Sequence, residues 1–147
     1  MQKTEPPTWL LASVAAMVGL HFLWPGMRLI AGPWRLLGAL PMLAGLAVDV
    51  WADQLFKTAQ TTVKPSETPS SFVTEGPFRF SRHPMYLGMG AVLAGVAVLL
   101  GTLTPWLVAA AFVAAMDRLF IAPEEKAMLG TFGKAYEEYR RTVRRWL

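Results

Sequence analysis

Cysteine is absent from this chain, and histidine occurs only twice, as His21 and His83. Without thiols the protein can form no disulfide, no thiolate nucleophile and no cysteine metal site. Two histidines are too few for a histidine-rich zinc centre, and no bound metal is predicted. A Ser-His-Asp triad would need His83 together with Ser70, Ser71 or Ser81, and the sequence contains no nucleophile elbow.

Charged residues are also scarce, at 16% of the 147 residues, whereas hydrophobic residues reach 54% and the mean hydropathy is +0.37. This balance excludes an ordinary soluble domain and indicates a membrane protein. No Walker-type phosphate loop occurs, and Gly88-Met89-Gly90 lacks the strand context of a dinucleotide-binding fingerprint. The function must therefore be sought at a membrane.

Four apolar runs are each near the roughly 20 residues that a helix needs to cross a bilayer. They are Trp9–Trp24, Leu36–Phe56, Tyr86–Leu103 and Trp106–Ile121. The runs predict an all-α membrane protein with about four transmembrane helices in two hairpins and a C-terminal amphipathic helix. The single domain, 1–147, divides into a hairpin 1–56, a cytoplasmic loop 57–85, a hairpin 86–121 and a cytoplasmic C-terminal helix 122–147. The first run also suits a signal peptide, but its removal would leave three spans.

Basic residues test this segmentation independently. With four spans, twelve of the fourteen Lys and Arg lie on the side of both termini and the long loop, and only Arg28 and Arg35 lie on the other. The positive-inside rule then places both termini and His83 in the cytoplasm, with His21 toward the opposite face. The excess of basic residues gives a pI of about 9.8, and it is explained by this topology and by the attraction of cations to anionic lipids. No nucleic-acid partner is therefore predicted.

The second apolar run contains two acidic residues and the third contains glycines, and each set has two possible structural roles. Asp49 and Asp53 are four residues apart on one face of a helix, where they either face the bundle interior or reach the interface. Gly88 and Gly95 permit close helix packing, and Gly88 at the mouth of its run could also let a ligand approach the backbone. For Gly95, packing is the preferred explanation.

The long loop changes character along its length. Its first half is rich in Thr, Ser, Pro and Lys, and its second half is aromatic before it enters the third run. Loops of this length commonly act as lids or binding loops. The residues that predict packing of the second half against the protein are Phe72, Val73, Phe78 and Phe80.

A new helix is predicted to begin at Ala122-Pro123-Glu124-Glu125. Proline suits a first helical turn, and the two acids would face the positive end of the helix dipole. An apolar stripe then recurs at spacings of three and four residues, which predicts a helix lying on the membrane surface or over the bundle, bent near Gly130 or Gly133. The stripe consists of Leu129, Phe132, Tyr136, Tyr139, Val143 and Trp146.

The loop before the third run and the segment after the fourth emerge on the same side of one hairpin. His83, Tyr86, Glu124 and Glu125 can therefore converge at the cytoplasmic face. Such a cluster suits a reaction that depends on orientation more than on proton transfer, and in-line transfer of a methyl group from a sulfonium is one.

Three sequence blocks occur in order: Phe72–Gly88, which contains Ser81-Arg82-His83-Pro84-Met85-Tyr86, then Glu124-Glu125, then Phe132–Tyr139. Together they resemble the isoprenylcysteine carboxyl methyltransferase and phospholipid methyltransferase superfamily of integral membrane enzymes. The resemblance covers the chain from about Leu55 to its end. It implies S-adenosylmethionine in a cytoplasmic pocket roofed by the C-terminal segment, and a lipophilic acceptor that enters from the bilayer.

Carried over by position, the resemblance assigns a cofactor-binding role to Phe72, Val73, Phe78, His83, Pro84, Met85, Tyr86 and Gly88. It implies that Glu124 binds the methionine amino group. The resemblance implies an arginine four residues before Glu124, but that position is Phe120. Arg118 is then the nearest candidate to orient an acceptor carboxylate, with Arg144 and Arg145 behind it. Glu125 is the candidate base for an amine acceptor. The acceptor stays open among a carboxylate, an amine or a thiol on an isoprenoid or a phospholipid.

Two alternative functions belong to other classes. Membrane reductases of the sterol-reductase type resemble this fold in their C-terminal half and use NADPH, although their chains are much longer. The motif could also serve a non-catalytic membrane protein that binds a lipid or a cofactor. Binding of S-adenosylhomocysteine without binding of NADPH favours the methyltransferase over the reductase.

Overall fold

A computed structural model describes residues 5–60 and 71–147, and the regular secondary structure within these ranges is helical. The helices are α1 (Pro6–Leu23), α2 (Ala39–Thr58), α3 (Pro84–Leu100), α4 (Leu103–Met116), α5 (Ala122–Phe132) and α6 (Lys134–Thr142). Helical turns of the 3-10 type, Gly32–Gly38 and Gly76–Arg79, precede α2 and α3. The predicted all-α class is confirmed for these residues. The predictions for the polar first half of the long loop fall on residues 61–70, outside the described ranges.

Three helical stretches are long and apolar enough to cross a membrane: Pro6–Leu23, Gly32–Thr58 and Leu103–Phe132. The fourth predicted span, α3, is apolar but has only 17 residues. It packs against α1, α2 and α4, and none of its residues is exposed. The lipid-facing surface therefore comes mainly from α1, α2 and α4, and the count of four spans with cytoplasmic termini stays a prediction.

Two pairs of glycines set the contact between α2 and the antiparallel α3. Gly38 lies against Gly95, and Gly45 lies against Gly88. The two glycines of each helical segment are seven residues apart. Seven residues are about two helical turns, so both glycines lie on the same face. A Cβ atom built on Gly38, Gly45 or Gly95 would overlap a carbonyl oxygen of the facing glycine, and one built on Gly88 would overlap Asp49. The packing role predicted for Gly95 is confirmed.

Replacing Gly45 with alanine should destabilise the bundle, because the added methyl group meets backbone atoms of α3 that cannot move aside. Overpacking of this kind costs roughly 1–3 kcal/mol. Gly19→Ala is the matched control, since no atom lies within 4 Å of its Cβ position and alanine favours a helix. Thermal unfolding in detergent should show a lower Tm for Gly45→Ala alone. Equal Tm values would contradict the close packing of α2 on α3.

At the end of the bundle remote from the start of α3, the connection between α1 and α2 is hydrogen-bonded to the connection between α3 and α4. The Leu29 N–H donates to the Gly101 oxygen at 2.9 Å, and His21 Nδ1 lies 2.8 Å from Thr102 Oγ1. His21 is thus at the opposite end of the bundle from His83, as predicted, and cannot join a site there.

The helix predicted to begin at Ala122 is present as α5, but it is not a separate helix with a free end, because the chain remains helical from Leu103 to Phe132. A π-helical turn, Asp117–Ile121, joins α4 to α5, and the Ala122 N–H donates to the Asp117 oxygen five residues back. The wider turn accommodates a proline that has no N–H to donate. No free helix start exists at this position, so the dipole explanation for the acidic pair does not apply.

The C-terminal region is not one helix over 122–147. Gly133 ends α5 with a φ of 53°, which confirms the predicted bend. After α6, the backbone becomes extended at Val143. The predicted placement of this region over the bundle is confirmed, because Tyr136 is buried and the Tyr139 hydroxyl donates to the Phe78 oxygen at 2.7 Å.

Candidate active site

A cavity of about 240 Å³ lies at the end of the bundle where α3 begins. Its walls come from the first turns of α1 and α3, the last turn of α2, residues 71–73, α5 and α6. Eight of the nine residues predicted to bind a cofactor line this cavity: Phe72, Val73, Phe78, His83, Pro84, Met85, Tyr86 and Glu124. The ninth, Gly88, does not line it and packs against α2 instead.

The segment that leads into α3 is held by the extended tail that follows α6. The Arg82 N–H donates to the Arg144 oxygen at 2.9 Å, and Ser81 Oγ donates to the Arg145 oxygen at 3.1 Å. The Arg82 side chain donates to the Val143 oxygen at 2.8 Å. These bonds hold one wall of the cavity and the C-terminal tail as a unit.

Glu125 is the centre of an ion cluster beside the cavity, which we call the Glu125 cluster and which contains Arg82, His83, Arg145 and Asp117. The Glu125 carboxylate is buried, with Arg82 Nη2 at 2.7 Å and Arg145 Nη2 at 2.6 Å. His83 Nε2 lies 3.3 Å from Glu125 Oε1. Two guanidinium groups balance one buried carboxylate, so loss of the carboxylate would leave both cations poorly compensated.

The Glu125 cluster also fastens the end of the chain to α4. Arg145 Nη1 lies 3.2 Å from Asp117 Oδ1, and Trp146 Nε1 donates to the same oxygen at 3.2 Å. The hydrogen bond to Glu125 raises the pKa of Arg145 above its usual value. Asp117 lies in the π-helical turn, so this turn supplies the carboxylate that binds the tail.

Glu124 has a different environment from its neighbour, because successive residues of a helix point about 100° apart. Its carboxylate faces the cavity and accepts a hydrogen bond from the Tyr86 hydroxyl at 2.5 Å. His83 Nδ1 lies 3.6 Å from Glu124 Oε2. Since no guanidinium of residues 5–60 or 71–147 pairs with it, this carboxylate retains capacity to bind a cation in the cavity.

Aromatic rings form the wall opposite the start of α3. Phe72 packs against Phe132, Tyr136 and Tyr139 at centroid distances of 4.9, 5.7 and 5.8 Å. Burial, followed by the Glu125 charge, raises the pKa of Tyr136 to about 12, so its phenol stays neutral. Packing of the second half of the loop is thus confirmed for Phe72 and likewise for the buried Phe78. It is wrong for Phe80, which is 71% exposed.

The two acids of α2 have different environments, and each matches one of the two interpretations of the sequence, the bundle interior or the surface. Asp53 reaches the surface and pairs with Lys57 at 2.5 Å. Asp49 faces the α2–α3 contact beside Gly88, and its Oδ1 is buried without a hydrogen-bond partner among the described residues. Neither residue lines the cavity.

The residues predicted to act on the acceptor lie outside the cavity lining. Glu125 and Arg145 belong to the Glu125 cluster, and Arg118 is exposed on the π-helical turn. Within the described ranges, no three His, Asp or Glu side chains are close enough to hold a metal ion.

Sequence reasoning missed two parts of the site. Arg82 was not assigned a role, although a cation beside His83 in a polar loop could have indicated a partner for the acidic pair. Glu5, Pro6 and Pro7 also line the cavity. The topology predicted from the charges could have indicated these residues, since it places the start of α1 on the same membrane face as His83.

Comparison with known proteins supplies the family. The family model for phospholipid methyltransferase matches residues 34–135, more than half of the chain. An uncharacterized protein of Haemophilus influenzae is 35% identical over 63 residues, which are 43% of this chain and the full length of that protein. No solved structure matches. The matched range includes the start of α3 and the Glu124-Glu125 pair, and the chain therefore belongs to the phospholipid methyltransferase family.

Proposed function

We propose that this membrane protein transfers a methyl group from S-adenosylmethionine to a lipid acceptor at the membrane surface. Membership in the phospholipid methyltransferase family indicates methyl transfer to a lipid. One observation carries the finer proposal: eight of the nine residues expected to hold the cofactor, which are far apart in sequence, line a single cavity with Glu124 facing it.

The lining fits the chemical groups of S-adenosylmethionine. The Glu124 carboxylate, fixed by the Tyr86 hydroxyl, matches the ammonium of the methionine part. The rings of Phe72, Tyr136 and Tyr139 provide flat apolar surface for an adenine, and aromatic faces also attract cations such as a sulfonium. The proposed binding residues are therefore Glu124 with this aromatic wall and the His83–Tyr86 segment.

When bound, S-adenosylmethionine supplies a methyl group on a positively charged sulfur that leaves as a neutral thioether. The chain's contribution is to orient this group and the acceptor in line, which can account for a large part of a rate enhancement. Transfer would exchange the sulfur–methyl bond for a bond between the methyl carbon and an acceptor heteroatom. An ammonium has no lone pair, so an amine acceptor would first have to lose one proton, which water can accept.

Glu125 and Arg145 are better suited to positioning than to direct chemistry. Both oxygens of Glu125 accept bonds from Arg82, His83 or Arg145, and the carboxylate does not line the cavity. We therefore assign them the role of holding His83 and the C-terminal tail in place. Arg118 is exposed and does not line the cavity, so its proposed role as an acceptor-orienting cation is not favoured.

The charges at the cavity favour an amine over a carboxylate acceptor. Among the described lining residues, the one guanidinium is that of Arg82, and it is already paired with Glu125. An acceptor carboxylate would meet Glu124 without a free cation to offset it. An amine headgroup meets no such penalty, and a phospholipid amine agrees with the family.

The proposed topology places the cavity at the cytoplasmic face. The start of α1, the end of α2 and the start of α3 lie at this end of the bundle, as an even number of spans requires. Basic residues concentrate on the same side in the sequence, which agrees with the positive-inside rule. The cofactor then enters from the cytoplasm and the lipid from the bilayer.

Purified protein in lipid nanodiscs should move radiolabel from methyl-labelled S-adenosylmethionine into the lipid extract. Transfer should disappear in Glu124→Ala and His83→Ala. Unchanged transfer in both variants would overturn the site, and no transfer to any lipid by the wild type would overturn the proposed function. Binding of NADPH in place of S-adenosylhomocysteine would favour the reductase, an alternative that the family match does not support.

A further inference from the structure

The first turn of α1 forms a wall of the cavity although it lies outside the family match. Glu5, Pro6 and Pro7 line the cavity, whereas the matched range begins at residue 34. This wall of the cavity comes from outside the matched range, and its side chains are available to contact the acceptor.

The position of Glu5 is fixed by the packing of α1. Pro6 is buried and restrains the backbone at the helix start, and the Thr8 N–H donates to the Glu5 oxygen at 3.0 Å. Trp9, one turn on, packs edge-on against Phe120 at a centroid distance of 6.3 Å. Phe120 in turn contacts Tyr86, the partner of Glu124, at 6.4 Å. The helix start is thus held in register with the Tyr86–Glu124 pair.

The part of the chain that the structure describes does not hold the Glu5 carboxylate in a structural contact. The Glu5 side chain makes no capping hydrogen bond to α1, and within the described residues it has no ion pair. It is exposed and lines the cavity, which places it at the rim. An exposed carboxylate without a structural partner is available to a ligand.

Among the described lining residues, the cavity presents two carboxylates, those of Glu5 and Glu124, and a guanidinium that Glu125 already neutralises. If Glu124 holds the ammonium of the cofactor, a second negative group remains at the rim. The charge pattern suits a second cation at this position and disfavours an anionic group.

We propose that Glu5 is a specificity-determining residue that recognises a positively charged acceptor headgroup at the rim of the cavity, an inference that rests on the proposed function. Its contribution is to binding of the acceptor, because its carboxylate lies at the entrance and leaves the aromatic wall and Glu124 unchanged. A solvent-exposed charge pair is weak, so the effect of neutralisation should be modest and the effect of charge reversal larger.

The test uses full-length protein in nanodiscs that contain phosphatidylethanolamine in a phosphatidylcholine background. Methyl transfer is measured against phosphatidylethanolamine content for the wild type, Glu5→Gln and Glu5→Lys. Glu138→Lys is the matched control for reversed surface charge, since Glu138 is exposed and does not line the cavity. Binding of S-adenosylhomocysteine is measured for each protein by calorimetry.

We expect KM for phosphatidylethanolamine to rise roughly threefold to fivefold in Glu5→Gln and about tenfold or more in Glu5→Lys, with an unchanged Kd for S-adenosylhomocysteine. Glu138→Lys should behave as the wild type. An active wild type with equal KM in Glu5→Lys and Glu138→Lys would overturn this inference alone. A wild type that transfers no methyl group to any lipid would overturn the proposed function and this inference with it.

Discussion

Glu124→Gln should lose S-adenosylhomocysteine affinity by roughly 100-fold and methyl transfer with it. The side chain is 21% exposed and faces the cavity, so its charge is only partly screened by water. Removing one partner of such a charge pair costs about 3 kcal/mol, which corresponds to the stated loss of affinity. The amide oxygen of glutamine can still accept the Tyr86 hydroxyl, so the ligand-free fold should persist.

Isothermal titration calorimetry measures the affinity, and thermal unfolding without ligand checks the fold. Glu138→Gln is the control, since it removes an exposed carboxylate that lies outside the cavity. Glu124→Gln with wild-type affinity would show that the cofactor amine is bound elsewhere. A large drop in the Tm of the ligand-free protein would instead assign Glu124 a structural role.

Glu125→Gln should destabilise the protein more than any other single change in the Glu125 cluster. It removes the carboxylate that Arg82 and Arg145 share, and the Arg82 side chain is only 9% exposed. Loss of one member of a buried ion pair costs about 3–5 kcal/mol, and partial exposure of Arg145 reduces this to roughly 2–4 kcal/mol. Because Arg145 then keeps Asp117 as its one carboxylate partner among the described residues, the end of the tail should be held less tightly.

Two measurements separate this effect from general damage. Thermal unfolding in detergent gives the stability, and trypsin cleavage near Arg144 and Arg145 reports release of the tail. Arg141→Gln is the matched control, because it breaks an ion pair with Glu137 in which both side chains are more than half exposed. Such a pair is worth only about 0.3–0.5 kcal/mol. Unchanged stability and cleavage in Glu125→Gln would refute the anchoring role.

The two predictions distinguish adjacent acids that the sequence alone could not separate. Glu124 and Glu125 are identical in type and share every local signal, including the preceding proline. They differ because one points into the cavity while the other points toward Arg82 and Arg145. Arg145 is twenty residues away from Glu125, so its contact depends on the break at Gly133 and the extended tail, which no local pattern specifies.

Other parts of the fold could be predicted because their causes are local. The long apolar runs determine membrane helices, since an unpaired backbone is costly in lipid and a helix satisfies it internally. The bend at Gly133 follows from the conformational freedom of glycine, which adopts a positive φ there. The continuous helix through Pro123 was not predictable in this way, because a π-helical turn depends on the packing of α4 and on the tail that binds Asp117.

The sequence by itself therefore determined the membrane class, the helical content and the set of residues at the start of α3 and on α5 that converge on one cavity. The first two follow from hydropathy, which acts over short distances along the chain, and the third follows from the hairpin that brings the start of α3 and the start of α5 to the same end. Only the tertiary structure decided that Gly88 packs against Gly45, that Glu125 anchors the tail, and that Glu5 joins the cavity. Each of these contacts joins segments far apart in sequence, and its geometry depends on how closely the helices pack.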